Sequence, residues 1–123
     1  MGMALALGFA GAAGAQDIYS GRFSEQGGEA LYKHVCQGCH MPGGKGAVGA
    51  GAYPALAGDA RLASGAYAAM AVGRGQKAMP GFGDSLTDAQ IADAVNYIRT
   101  NFGNHYPDKV TPETVKALRT AAR

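Results

Sequence analysis

The feature that most constrains this chain is Cys36-Gln37-Gly38-Cys39-His40, because both cysteines of the sequence fall inside it. Cysteines three apart on a helical turn point the same way, about 5–6 Å from each other. Their sulfurs can add to two vinyl groups on one edge of a porphyrin, and the adjacent His40 then rises beside that edge to ligate the iron. This spacing is the attachment signature of haem c. A disulfide closing so short a loop would add little to fold stability. Three other uses compete. A structural zinc site needs four ligands, and only His34 and His40 stand near, at poor spacing. A thioredoxin-like dithiol needs a βαβ setting, whereas these surroundings are Gly-rich and strand-free. An inert buried pair accounts for the motif least well.

The chain has 123 residues, enough for one domain. Domains of this size bury a limited share of their surface and often depend on a cofactor or cross-link. The formal charge of +2 gives no reason to expect a nucleic-acid binder. Residues 1–15 carry no ionisable side chain and read as a secretory signal: a short apolar run ends in Ala13-Gly14-Ala15, a small-x-small cleavage site before Gln16. The run is too short and too rich in Gly for a membrane span, which needs about 20 apolar residues. No Lys or Arg precedes it, so the basic start of such a signal is missing. Export to the periplasm is the expectation. The domain limits expected are 1–15 for the signal, 16–103 for the haem-binding domain and 104–123 for a C-terminal extension with a short helix.

Apolar spacing predicts helices over 24–35, with Gly28, Leu31, Tyr32 and Val35 in register, and over 64–72. A third begins at Thr87, where Thr87-Asp88-Ala89-Gln90 forms a capping box. Its apolar face is Ile91, Ala94, Val95, Ile98 and Phe102, and Gly103 is placed to end it. In the tail, Thr111 and Pro112 can start a short helix carrying Val115 and Leu118. No strand pattern is visible. The glycine-rich loop 41–58 has no periodicity, and such loops in small domains are usually functional.

A methionine sulfur opposite histidine would raise the iron's reduction potential and close the site. Met79 is the best-placed candidate: Pro80 keeps it out of helical geometry, and Gly75, Gly81 and Gly83 flank it. Met41 adjoins His40 and belongs to the wrong face. Met70 lies on a predicted helix, where a methionine is usually packing material. A site without a protein sulfur ligand is the third possibility.

Together these residues resemble a small class I cytochrome c, over about 24–103. Gly28-Glu29-Ala30-Leu31-Tyr32 followed by the cysteine motif is similar to the family's first helix. Tyr97 occupies the place of the aromatic on its crossing helix, where Gly28 would allow close approach. Tyr53-Pro54-Ala55-Leu56-Ala57-Gly58 resembles the segment whose proline supplies a carbonyl to the histidine; an unrelated turn proline is the plain alternative. Ala78-Met79-Pro80-Gly81-Phe82 resembles the methionine loop. Tyr67 either bonds near Met79 or a propionate or is ordinary core. The resemblance implies an all-α class I cytochrome c fold, three to four helices around one covalently bound haem c, with no sheet. The phrase around Asn96-Tyr97-Ile98-Arg99-Thr100-Asn101-Phe102-Gly103-Asn104 is similar to cytochrome subunits serving periplasmic dehydrogenases. His105 and His34 read as surface residues.

The implied function is single-electron transfer, not catalysis by the chain itself. Its implied partners are a periplasmic dehydrogenase as donor and a terminal oxidase or other cytochrome of the respiratory chain as acceptor. The alternative is a gas-binding or peroxidatic haem protein, which requires Met79 to be absent or labile. A docking face is expected around the haem edge, from Met41, Pro42, Ala47 and Val48 on one side and Met79, Pro80 and Phe82 on the other. Lys45, Arg74 and Lys77 stand at its rim.

Overall fold

The computed structural model describes residues 23–49 and 51–121. The expected signal, 1–15, lies outside the described residues. Among the described residues five α-helices follow in order: α1 (Gly28–Leu31), α2 (Gln37–His40), α3 (Gly65–Arg74), α4 (Asp88–Thr100) and α5 (Pro112–Ala121). A π-helical stretch, Tyr32–Cys36, joins α1 to α2, so the chain is helical from Gly28 to His40. This helix starts four residues later than its spacing predicts and carries the whole cysteine motif. Towards its far end the π turn breaks the 3.6-residue register on which sequence periodicity depends, and such turns are frequent at functional sites.

The helices start where local chemistry satisfies their free donors. The Thr87 hydroxyl accepts from the Gln90 amide, and the Gln90 side-chain oxygen accepts from the Thr87 amide, the reciprocal box expected at the head of α4. Ser64 accepts from the Tyr67 amide at the head of α3. Thr111 accepts from the Thr114 amide at 3.2 Å, with Pro112 opening α5. At its far end α4 stops at Thr100, and left-handed backbone covers both Phe102 and Gly103. The fold departs from the expectation of no sheet in one place. Ala47–Val48 (β1) and Ala52–Tyr53 (β2) pair antiparallel within the glycine-rich loop.

Helix α1 crosses α4 at contact distance, and Gly28 makes this possible. A Cβ there would lie 2.4 Å from both the Asp93 carbonyl oxygen and the Tyr97 Cβ, far inside van der Waals contact. Tyr32, Tyr97 and Phe102 stack around the crossing, with ring centroids 4.8–5.8 Å apart. The core gathers Leu31, Leu62, Val72, Ile91, Val95 and Val115 from all the longer elements.

The chain beyond Gly103 packs into the same body. Val110 and Val115 are buried with the core, and each such side chain contributes about 1.5–3 kcal/mol of apolar burial. Arg99, wholly buried on α4, ties the tail to the preceding loop. It donates to the carbonyls of Leu62 (2.7 Å) and Ala63 (3.1 Å), to the Asp108 carbonyl, and to the Asp108 carboxylate at 2.8 Å. Asn104 donates to the carbonyls of Leu56 and Ile98, both at 2.8 Å.

Candidate functional site

The cysteine motif ends a helix, and the loop that follows folds back over its histidine. Met41, just after His40, takes a positive φ of 67°, a conformation uncommon for a residue with a side chain. The Tyr32 hydroxyl donates to the Met41 carbonyl at 2.5 Å and holds that turn. The Gly46 amide then donates to the His40 carbonyl at 2.9 Å, and the Leu56 and Ala57 amides both donate to the Gly44 carbonyl. At Gly46 the two limbs of the loop touch: a Cβ would meet the Tyr53 oxygen at 2.4 Å and the Ala55 nitrogen at 2.6 Å. Only a glycine admits this approach, which sets Pro54 beside the histidine.

The Pro54 carbonyl lies 2.9 Å from His40 Nδ1. A carbonyl has only lone pairs to offer, so Nδ1 carries the proton, and in the neutral ring the nitrogen with a lone pair to give is Nε2. A neutral imidazole with one nitrogen anchored and the other free is the form that ligates a metal. The anchoring bond also sets ring orientation and raises basicity. His40 is 7% exposed, so its ring is held inside the protein surface rather than swinging in solvent.

Cys36 is partly buried and Cys39 exposed, and no disulfide joins them. Burial, with the neighbouring Cys39 sulfur, pushes the Cys36 thiol up to about 11. Dithiol enzymes need the opposite shift, towards the thiolate. Zinc fares no better, since no group of three or more His, Cys, Asp or Glu gathers among the described residues. His34 faces Glu25 at 3.5 Å on the surface, and His105 is exposed.

Met79 sits in the loop between α3 and α4, partly buried and packed against the core with Val35, Cys36 and Phe82. A tight antiparallel bridge holds it: the Gln76 amide donates to the Met79 carbonyl at 3.1 Å, and the Met79 amide donates back at 2.9 Å. The Tyr67 hydroxyl donates to Gln76 Oε1 at 2.9 Å, so Tyr67 supports the loop through Gln76. Met70 lies partly buried on α3. Phe82 turns inward, its ring 6.3 Å from that of Phe23 in an edge contact. This weakens its expected role at a docking face. Among the described residues the exposed large hydrophobics are Val48, expected on that face and 93% exposed at the β1 end, and Tyr53, 44% exposed on β2.

The residues therefore fit a haem c: two thiols one turn apart, a histidine with its free nitrogen defined by a carbonyl, and a methionine loop packed on the same core. Three parts of this arrangement escape sequence reasoning: the Gly46 crossing, the Tyr32 hydroxyl bond and the Arg99 clasp. The first depends on a contact across the loop, and only the glycine density of 41–58 hints at it. Tyr32 carries a hydroxyl where apolar packing asks only for a ring. A charged residue at the buried end of α4 is the signal for the third.

Helices packed around a Cys-x-x-Cys-His motif, with a proline carbonyl on the histidine, define a cytochrome c domain. Residues 24–98 match the family described as cytochrome c oxidase, cbb3-type, subunit III, and the chain belongs to this family of cytochromes. It is 33% identical over 106 residues to the cytochrome c subunit of alcohol dehydrogenase (quinone) of Gluconobacter oxydans, a match covering 76% of this chain and 22% of that protein. It is 35% identical over 111 residues to the fructose dehydrogenase cytochrome subunit of Gluconobacter japonicus, covering 78% and 22%. A shorter match, 55% over 42 residues, links it to the alcohol dehydrogenase (quinone) cytochrome c subunit of Gluconacetobacter polyoxogenes, covering 34% and 9%. The chain thus spans between 9% and 22% of the length of these relatives. No helix among the described residues is long and apolar enough to cross a membrane.

Proposed function

We propose that this chain is an exported, periplasmic cytochrome c with one covalently bound haem. It accepts single electrons from a dehydrogenase and passes them to a terminal oxidase or another cytochrome of the respiratory chain. The observation that carries the reading is the 2.9 Å contact between His40 Nδ1 and the Pro54 carbonyl, which defines the ligating nitrogen next to the two cysteines. The names of the relatives, cytochrome subunits of dehydrogenases, support the donor. On this reading the chain is an electron-transfer protein, free or as one subunit of a dehydrogenase complex.

When bound, the haem supplies one-electron ferric–ferrous chemistry. The protein's own residues do the rest. Cys36 and Cys39 would hold the haem through thioether bonds. His40 and Met79 would hold the iron, and one-electron chemistry there would ask little movement of either side chain. The Pro54 carbonyl keeps the histidine basic, and Tyr67 steadies the methionine loop through Gln76. Packing of the methionine loop on the core would keep water and small ligands from the iron.

The test is spectroscopic. Met79→Ala should abolish the sulfur-to-ferric-iron band, lower the reduction potential and open the ferrous iron to carbon monoxide, since a thioether favours the reduced state. Met70→Ala should do none of these. If wild-type ferrous protein already binds carbon monoxide avidly, the gas-binding or peroxidatic reading replaces electron transfer.

A further inference from the structure

The loop that carries Met79 is held on its inner limb by α3 and on its outer limb by a residue from the tail. The Phe82 amide donates to the Val72 carbonyl and the Gly83 amide to the Gly73 carbonyl, both at 2.9 Å, so the limb leaving Met79 lies along the end of α3. The Gly83 carbonyl points the other way, and Arg119 of α5 donates to it. The other arm of the same guanidinium donates to Asp88 Oδ1 at 2.6 Å, in the first turn of α4. One planar fork thus joins three separate elements: the tail helix, the head of α4 and the methionine loop. Arg suits this task because its donors are fixed in one plane, so holding one partner orients it for the next.

We propose that Arg119 is a positioning residue for the distal ligand: by clasping the Gly83 carbonyl and the Asp88 carboxylate it locks the limb that keeps Met79 on the haem iron. The inference rests on Met79 being that ligand. Its consequence is local. Arg119 and Asp88 are both about one-third exposed, and exposed ion pairs add little to global stability. What the clasp limits is the population of a state in which the loop lifts and Met79 leaves. An outside ligand such as imidazole binds only that state, so its apparent affinity reports the loop's opening equilibrium.

The experiment is imidazole titration of the ferric holoprotein, followed by loss of the sulfur–iron band, alongside thermal melting and amide hydrogen exchange at Phe82 and Gly83. Arg119→Ala should bind imidazole about three- to tenfold more tightly, as expected for loss of a partly exposed hydrogen bond and ion pair. The two amides should exchange faster by a similar factor. Arg119→Lys, which keeps the charge but not the fork, should fall between. Val110→Ala, a buried change away from the loop, should lower the melting temperature without moving imidazole affinity. In a Met79→Ala background, Arg119→Ala should have no further effect. Unchanged affinity in Arg119→Ala would overturn the proposal, as would an equal rise in Val110→Ala. Failure of Arg119→Ala to fold would also overturn it, since the clasp would then hold the whole body. A Met79→Ala protein with an unaltered spectrum would instead sink the ligand assignment beneath it.

Discussion

At the scale of single residues, the chemistry of the site is concentrated in contacts a few ångströms long. The Gly46 crossing is one of them. Gly46→Ala places a methyl group 2.4 Å from the Tyr53 oxygen at a φ of 65°, so the 53–55 limb must move away. Strain of this kind costs on the order of 1–3 kcal/mol. Moving the limb also lengthens the bond from His40 to Pro54. A histidine that loses this acceptor is less basic and stabilises ferric iron less. Redox titration should therefore show a higher potential, and melting a lower stability, than for Gly49→Ala, where an added Cβ meets nothing. The motif Cys36-Gln37-Gly38-Cys39-His40 is legible in sequence because its geometry is local to one helical turn. Gly46 is not, because its necessity comes from a partner limb seven residues away that only the folded loop brings close.

At the scale of elements, α4 is the most legible part of the chain. Its capping box and apolar face are both local patterns, and the structure has Ile91, Ala94, Val95 and Ile98 buried. Helix α1 is less so, since the π turn at Tyr32–Cys36 shifts the register that periodicity reads. The tail shows what propensity omits. Val115 marks a face for α5, but the junction with α4 depends on Arg99 and Asp108, two charged residues that pattern reading assigns to solvent. The Arg99 guanidinium holds the Asp108 carboxyl below the usual carboxylate range. A carboxyl depressed in the folded state contributes stability above its unfolded pKa and loses it as pH falls through the depressed value. Asp108→Asn should therefore melt earlier than the wild type at neutral pH. The difference should shrink as pH drops below the ordinary carboxylate range. Equal melting of the two proteins at neutral pH would show that the Asp108 backbone carbonyl, which the substitution keeps, holds Arg99 without the carboxylate.

At the scale of the whole molecule, the question is how a partner finds the haem edge. Net charge is small, +2, while Val48 stands almost fully exposed beside the limb that holds His40. A charge-steered encounter slows steeply as salt screens it over a Debye length of about 8–10 Å. An apolar contact does not. Electron exchange with the proposed dehydrogenase partner should change only modestly with salt, and Val48→Asp should slow it without altering the absorption spectrum. Phe82→Asp is the poorer probe, because Phe82 packs on Phe23 and its loss should disturb the methionine loop itself. Steep salt dependence with a silent Val48→Asp would point instead to Lys45, Arg74 and Lys77. Beneath docking lies the central claim, that Cys36 and Cys39 bind haem covalently. Its most direct test is the mass of the polypeptide after denaturation in acidified organic solvent, with the protein made in cells that mature c-type cytochromes. Thioether bonds survive this treatment and coordination bonds do not. The account predicts a chain heavier by one haem, and a bare chain for Cys36→Ala with Cys39→Ala. A wild-type chain of bare mass, its colour wholly extracted, would contradict it.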